Sequence, residues 1–237
     1  MYFKKIMIKD LKSSFIVLDG PDGSGKSTQI KLLGEYFYSL GFEIIITNDP
    51  GGTPIGDQIR HLLKYGAKTE MNVHTELMLF MASRSQLIVD VILPALKDNK
   101  VVLCDRFVSA TCAYQGAGGY DIKKIIDLAK YVIDGHWPDL TIILDLPVEE
   151  GRRRIGHLPG QKTKKNHEGA YQSFLFENVT TDLFDSRTVE YHRKIRKIFQ
   201  KLQDYYPSPV EILNVSEMSP LEAHKKIIYT IEKHFKL

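Results

Sequence analysis

Residues Phe15 to Thr28 read FIVLDGPDGSGKST: four apolar residues, an acidic end, then a glycine-rich turn closing on Lys26-Ser27-Thr28. Gly20, Gly25, Lys26 and Ser27 fit the spacing G-x-x-x-x-G-K-[ST] of a phosphate-binding loop, with a strand pattern before it and a helix pattern after it. Glycines let consecutive backbone N–H groups turn inward and form a concave anion nest. The loop Gly20, Pro21, Asp22, Gly23, Ser24, Gly25, Lys26, Ser27 and Thr28 is therefore read as a cradle for phosphates. The helix opening near Lys26 adds its positive end, Lys26 adds a full charge for the outer phosphates, and the Ser27 hydroxyl suits Mg²⁺. The competing reading is a flexible turn that happens to carry a lysine.

Outward from this loop, strand and helix patterns alternate, the signature of a parallel sheet covered on both faces. Strands are expected at Phe15–Asp19, Phe42–Thr47, Val101–Asp105, Thr141–Leu146 and Val210–Val215, each short and apolar as doubly buried strands are. Helices are expected at Lys26–Leu40, Ile55–Tyr65, Thr75–Leu96, Ile122–Asp134, Pro147–Ile155, Thr188–Tyr205 and Pro220–Phe235. Right-handed crossovers wind these into an α/β three-layer sandwich with a five-stranded parallel sheet and ligands at the carboxyl ends of the strands. Residues 1–14 form an N-terminal extension to a single domain over 15–237. The stretch from Gly156 to Thr181 lacks periodicity, and a flexible lid is expected over roughly 152–182.

Composition narrows the partners. The chain has 237 residues and a net charge of +3, mildly basic, which suits an anionic small molecule and falls short of a nucleic-acid footprint. Two cysteines, Cys104 and Cys112, are too few for a disulfide framework or a metal cluster, which points to a reducing, cytoplasmic setting. Residues 1–14 are interrupted by charges and do not read as a signal peptide, and no apolar run is read as long enough to span a bilayer. The eight histidines show no metal-ligand spacing.

The strand ends carry the chemistry. Strand two runs into Thr47-Asn48-Asp49-Pro50-Gly51-Gly52-Thr53-Pro54, a turn that opens a helix. Strand three delivers Asp105 and Arg106, where Asp105 can hold water on Mg²⁺ opposite Ser27 and Arg106 can fork onto phosphate oxygens. An Asp–Arg pair that merely ties two loops together is the alternative. Phe80 and Arg84 stand four apart and share one face of a helix pattern, where Phe80 alone would also suit plain core packing and Arg84 interrupts an otherwise apolar run.

Taken in order, the phosphate loop, Pro50–Thr53, Asp105–Phe107 with Ala113–Gly116, and Pro138–Thr141 resemble the thymidylate kinase family along almost the whole chain. The resemblance implies transfer of the γ-phosphoryl group of ATP, with Mg²⁺, to dTMP by a homodimer that needs neither nucleic acid nor membrane. It also implies residue roles. Asp22 would bond the sugar 3′-hydroxyl, Phe80 would stack on thymine and Arg84 would reach its exocyclic oxygen. Arg106 would hold the 5′-phosphate, Thr111 and Gln115 would lie near the base, and Tyr114 would pack under the deoxyribose.

Some members of the family carry an arginine in the phosphate loop, but Gly23 follows Asp22 here, so the catalytic cation is expected from the lid. Arg153 and Arg154 match the family's basic pair, with Lys162, Lys164 and Lys165 beyond; a solvated basic helix face is the bland alternative. Asn48 and Asp49 replace the usual arginine and glutamate, and Asp182-Leu183-Phe184-Asp185 is the nearest match to the family's lid Asp-Arg element. The alternatives are a kinase for another pyrimidine monophosphate, a P-loop ATPase, or an inactive nucleotide-binding paralogue. A P-loop motor would want a strand ending in Asp-Glu, whereas strands three and four end in Cys104-Asp105-Arg106 and Leu144-Asp145-Leu146.

Overall fold

The computed structural model describes residues 11–66, 71–156 and 188–236. Five strands, β1 (Phe15–Asp19), β2 (Ile44–Asn48), β3 (Val101–Asp105), β4 (Leu140–Asp145) and β5 (Val210–Asn214), form one sheet in the order β2-β3-β1-β4-β5. Every pairing is parallel. The helices are α1 (Lys26–Ser39), α2 (Pro54–Tyr65), α3 (Val73–Leu87), α4 (Leu93–Lys97), α5 (Val108–Ala117), α6 (Ile122–Val132), α7 (Val148–Arg154), α8 (Val189–Gln200) and α9 (Pro220–Phe235).

Alternation along the central strands builds two cores. Phe15, Val17, Val102, Cys104 and Ile143 face a layer that includes Leu77, Met81, Cys112, Ile125 and Phe199. Ile16, Leu18, Val101, Leu103, Ile142 and Leu144 face α1 and α9 through Leu33, Phe37 and Ile227. All five residues of β1 are buried, so a cavity-forming change such as Leu18→Ala would cost about 2–5 kcal/mol. Local chemistry sets the helix starts. Thr53 caps α2 by accepting from the Gly56 N–H, with Pro54 in the first turn, and Ser219 and Glu222 form a reciprocal capping box on α9.

The predicted architecture is the one observed, with three revisions. A helix absent from the sequence reading, α5, follows β3. The helix expected over Thr75–Leu96 runs as α3 into a π-helical turn at Ile88–Ile92 and then α4. Pro94 explains that break, because it offers no N–H to the preceding turn and its ring clashes with the carbonyl four residues back, which a wider turn relieves. The continuous helix Val73–Lys97 is also long and apolar enough to cross a membrane by length and composition, contrary to the sequence reading. It packs as a core helix instead, burying Leu77, Met81, Leu87 and Ile92 together with Arg84. Most of the predicted lid and residues 1–10 of the predicted extension, with Lys162, Lys164, Lys165, Asp182 and Asp185, lie outside the described residues.

Candidate active site

A cleft of about 800 Å³ opens across the carboxyl ends of the strands. Its floor is the phosphate loop. The backbone there takes positive φ at Gly20, Gly23 and Gly25, and α1 begins at Gly25 with no side-chain cap, so its first N–H groups are left for a ligand. Gly23 is fixed for a second reason. A Cβ there would lie 2.3 Å from the Gly151 carbonyl oxygen, and a Cβ on Gly151 would lie 2.4 Å from that of Asp22. The first turn of α7 thus rests backbone to backbone on the loop.

Lys26 folds over the loop, its Nζ donating to the carbonyls of Gly20 and Pro21 at 3.0 and 2.9 Å. Burial lowers its pKa, the Arg106 charge adds to that, and Asp22, Asp105 and Asp19 oppose it. Ser27 Oγ lies 3.4 Å from Asp105 Oδ2, while Asp105 Oδ1 is buried with no hydrogen-bond partner among the described residues. No cluster of three or more His, Cys, Asp or Glu suited to a metal occurs among the described residues. The Ser27–Asp105 pair fits a cation that keeps most of its water, as Mg²⁺ does.

Arg106 stands at the centre. Its backbone lies in the left-handed region at φ 68, uncommon for a side-chain-bearing residue and a mark of local strain. Its N–H still continues the sheet ladder to Leu18 O at 3.0 Å. The guanidinium donates to Asp22 and, at 3.3 Å, to Asp19 Oδ1, and lies 5.0 Å over the Tyr114 ring. Tyr114 donates its hydroxyl to Asp22 Oδ2 at 2.9 Å. Burial alone would raise the Asp22 pKa; the charges of Arg106 and Lys26 and the Tyr114 hydroxyl outweigh it and hold the carboxyl at about 2. Asp19 is the reverse case. Burial dominates and pushes it up, against Arg106 and a 2.6 Å bond from Ser109.

Phe80 and Arg84 both line the cleft, but Arg84 is only 1% exposed and committed. Its Nε donates to Asp49 Oδ2 at 2.6 Å, its Nη2 to Thr111 Oγ1 at 2.8 Å, and its Cζ sits 5.1 Å over the Phe107 ring. The aspartate that replaces the family's glutamate is thus a buried counter-ion, with its pKa raised by burial against the pull of Arg84. Asp49 Oδ1, Gln115 Oε1 and Ser24 Oγ join Asp105 Oδ1 as buried atoms with no hydrogen-bond partner among the described residues, and all four residues line the cleft. Buried polar atoms are rarely left unpaired, and these four are in place to bond a ligand or water that enters the cleft.

The sequence-predicted cations of the lid divide. Arg154 lines the cleft, its Nη2 donating to Glu150 Oε1 at 2.6 Å and Val215 O at 3.3 Å. Arg153 is exposed and does not line it. Sequence reasoning missed Arg60 and Lys64 of α2 at one end, and Val215, Met218, Pro220 and Ala223 at the other. Arg60 followed the Pro-Gly-Gly-Thr turn on an amphipathic helix and was legible as a cation near the site; the apolar set looks like core from sequence alone.

A phosphate loop and an Asp–Arg strand end on a parallel sheet, opening into one cleft shared with Phe80 and Arg84, define a P-loop phosphotransferase of the nucleoside monophosphate kinase type. A family model described as thymidylate kinase matches residues 18–227, and the chain belongs to that family. Thymidylate kinases of Halothermothrix orenii and Clostridium novyi are 38% and 35% identical to it, over 94% and 87% of this chain and 98% and 92% of theirs. The crystal structure of the Ehrlichia chaffeensis thymidylate kinase superposes with a TM-score of 0.68 at 27% identity, covering 93% of this chain and 99% of that one.

Proposed function

We propose that this chain transfers the γ-phosphoryl group of ATP to the 5′-phosphate of dTMP, giving dTDP and ADP. The family and its named relatives support that reaction, and the observation that carries it to this chain's own residues is Arg106. Strained, stacked on Tyr114 and tethered to Asp22 of the phosphate loop, it lines the same cleft as Phe80 and Arg84.

The acceptor phosphate has a second pKa of about 6 and needs no base to ionise it. The difficulty is that two polyanions must meet in line, so alignment and fixed positive charge carry the catalysis. Lys26 exchanges the Gly20 and Pro21 carbonyls for donor phosphate oxygens, and Arg106 turns part of its fork to the acceptor phosphate. Ser27 and Asp105 would hold Mg²⁺, which would supply positive charge to offset that of the donor phosphates. Arg154, on the cleft wall, is a better placed lid cation than Arg153. Tyr114, pinned by Asp22, crowds the sugar against a 2′-hydroxyl. Phe80 stacks on the base, with Arg84, Thr111 and Gln115 at its edge. A homodimer in the cytoplasm completes the reading.

Coupled measurement of ADP formation with dTMP, dUMP and dCMP as acceptors tests it. Turnover fastest with dTMP is expected; none with any acceptor would overturn the reading.

A further inference from the structure

The base-facing wall of the cleft is made by two helices with matched stripes. Glu76, Phe80 and Arg84 recur every four residues on α3, so all three share one face. Thr111 and Gln115 do the same on α5. The stripes are bonded to each other at both ends: Arg84 Nη2 donates to Thr111 Oγ1 at 2.8 Å, and Gln115 Nε2 donates to Glu76 Oε1 at 2.6 Å. Gln115 is 1% exposed and lines the cleft, while Glu76 is buried behind it.

A glutamine amide has a donor end and an acceptor end of nearly the same shape, so its neighbours decide which way it points. An ionised carboxylate can only accept. With the NH₂ end of Gln115 donating to Glu76 Oε1, the carbonyl end faces the other way. Gln115 Oε1 is buried and has no hydrogen-bond partner among the described residues, as an acceptor waiting for a ligand donor would be.

The chemistry of the base edge follows. Thymine and uracil carry a donor at N3 beside the O4 acceptor; cytosine carries an acceptor at N3 beside an amino donor. Gln115 and Arg84 both line the cleft, so an acceptor at Gln115 Oε1 and guanidinium donors at Arg84 on one wall complement the first pattern and oppose the second at both positions. We propose that Glu76 is a positioning residue that sets the choice of oxopyrimidine over aminopyrimidine nucleotides, without touching the nucleotide, by fixing which end of the Gln115 amide faces the cleft. The proposal rests on the reading above that the Phe80 pocket takes the base of the acceptor nucleotide.

The test compares kcat/KM for dTMP and dCMP at saturating ATP in the full chain, the Glu76→Gln variant and the swapped pair Glu76→Gln/Gln115→Glu. Glu76→Gln releases the amide. The dTMP-to-dCMP ratio should fall at least about tenfold, mainly through a higher KM for dTMP, because a site built to accept a donor loses its selectivity when that acceptor turns away. In the swapped pair the amide at position 76 donates to the carboxylate at 115, whose second oxygen again faces the cleft. The ratio should return to within about threefold of the natural chain, the mark of a coupled pair.

A merely structural role would lower both substrates together and leave the ratio unmoved. The proposal is overturned if folded Glu76→Gln keeps the natural ratio, or if the swapped pair discriminates no better than the single variant. Should Glu76→Gln not fold, the swapped pair decides alone, a ratio about tenfold lower sinking the idea and one within about threefold sustaining it. Failure of the natural chain to phosphorylate dTMP would instead strike the functional reading, before any variant is made.

Discussion

The two ends of the cleft are built on opposite principles. At the Phe80 end, charged and polar side chains are buried or half-buried and already bonded: Arg84 to Asp49 and Thr111, Gln115 to Glu76, Tyr114 and Arg106 to Asp22. At the other end the wall is Val215, Met218, Ser219, Pro220 and Ala223, mostly apolar, with Arg154 beside Val215. Directional bonds in a dry setting discriminate steeply, because a wrong ligand leaves buried groups unpaired, whereas an apolar slot discriminates weakly. The Phe80 end is built to choose, and the Met218 end to tolerate.

Removing one partner from the buried network should cost most. Arg84→Ala leaves Asp49 as a buried, unpaired carboxylate, so denaturant unfolding should show a loss of about 3–5 kcal/mol, together with a higher KM for dTMP. Asp49→Ala should lose a similar amount, and a double variant that lost no more than either single would show that the two act as a unit. A small loss from Arg84→Ala would erase the contrast between the ends.

Lys26→Ala comes next, at about a hundredfold to a thousandfold in kcat from steady-state assays, the scale of one preorganised electrostatic donor. It acts at the floor shared by both ends, so both substrates should feel it.

Asp22 gives a smaller effect with a pH signature. Its folded value of about 2 lies below the ordinary 3.8, so its contribution to stability is present above pH 4 and is lost as pH falls toward 2. That gap corresponds to about 2 kcal/mol. Unfolding of the natural chain and of Asp22→Asn should differ by this amount at pH 7, and the difference should close between pH 4 and 2.

Met218→Ala should be mildest, changing the KM for ATP by less than about tenfold and leaving that for dTMP alone. A large effect on dTMP would mean the ends are assigned backwards.

What the sequence made legible was whatever lies close along the chain. The phosphate loop, the five strands and the Phe80/Arg84 register are local patterns, and they stand where the pattern put them. Helix α5 was missed because Val108–Ala117 carries valine, serine, threonine, cysteine and glycine, weak helix formers that burial overrides. The Arg84–Asp49 pair joins residues 35 apart in the chain, across two elements, and no spacing rule reaches it. The Glu76 stripe was within reach, one helical step before Phe80. An acid near a helix start is indistinguishable by pattern from a favourable first-turn charge.

The close seating of α7 on the phosphate loop has a consequence for ancestry. Putting the loop arginine of other family members at position 23 would drive a Cβ into the Gly151 carbonyl, so the helix would first have to withdraw. Each intermediate along that path loses packing before it gains charge. One substitution at position 23 is therefore not enough to install a loop cation in this chain, because it has to be accompanied by a shift of the helix that carries Gly151.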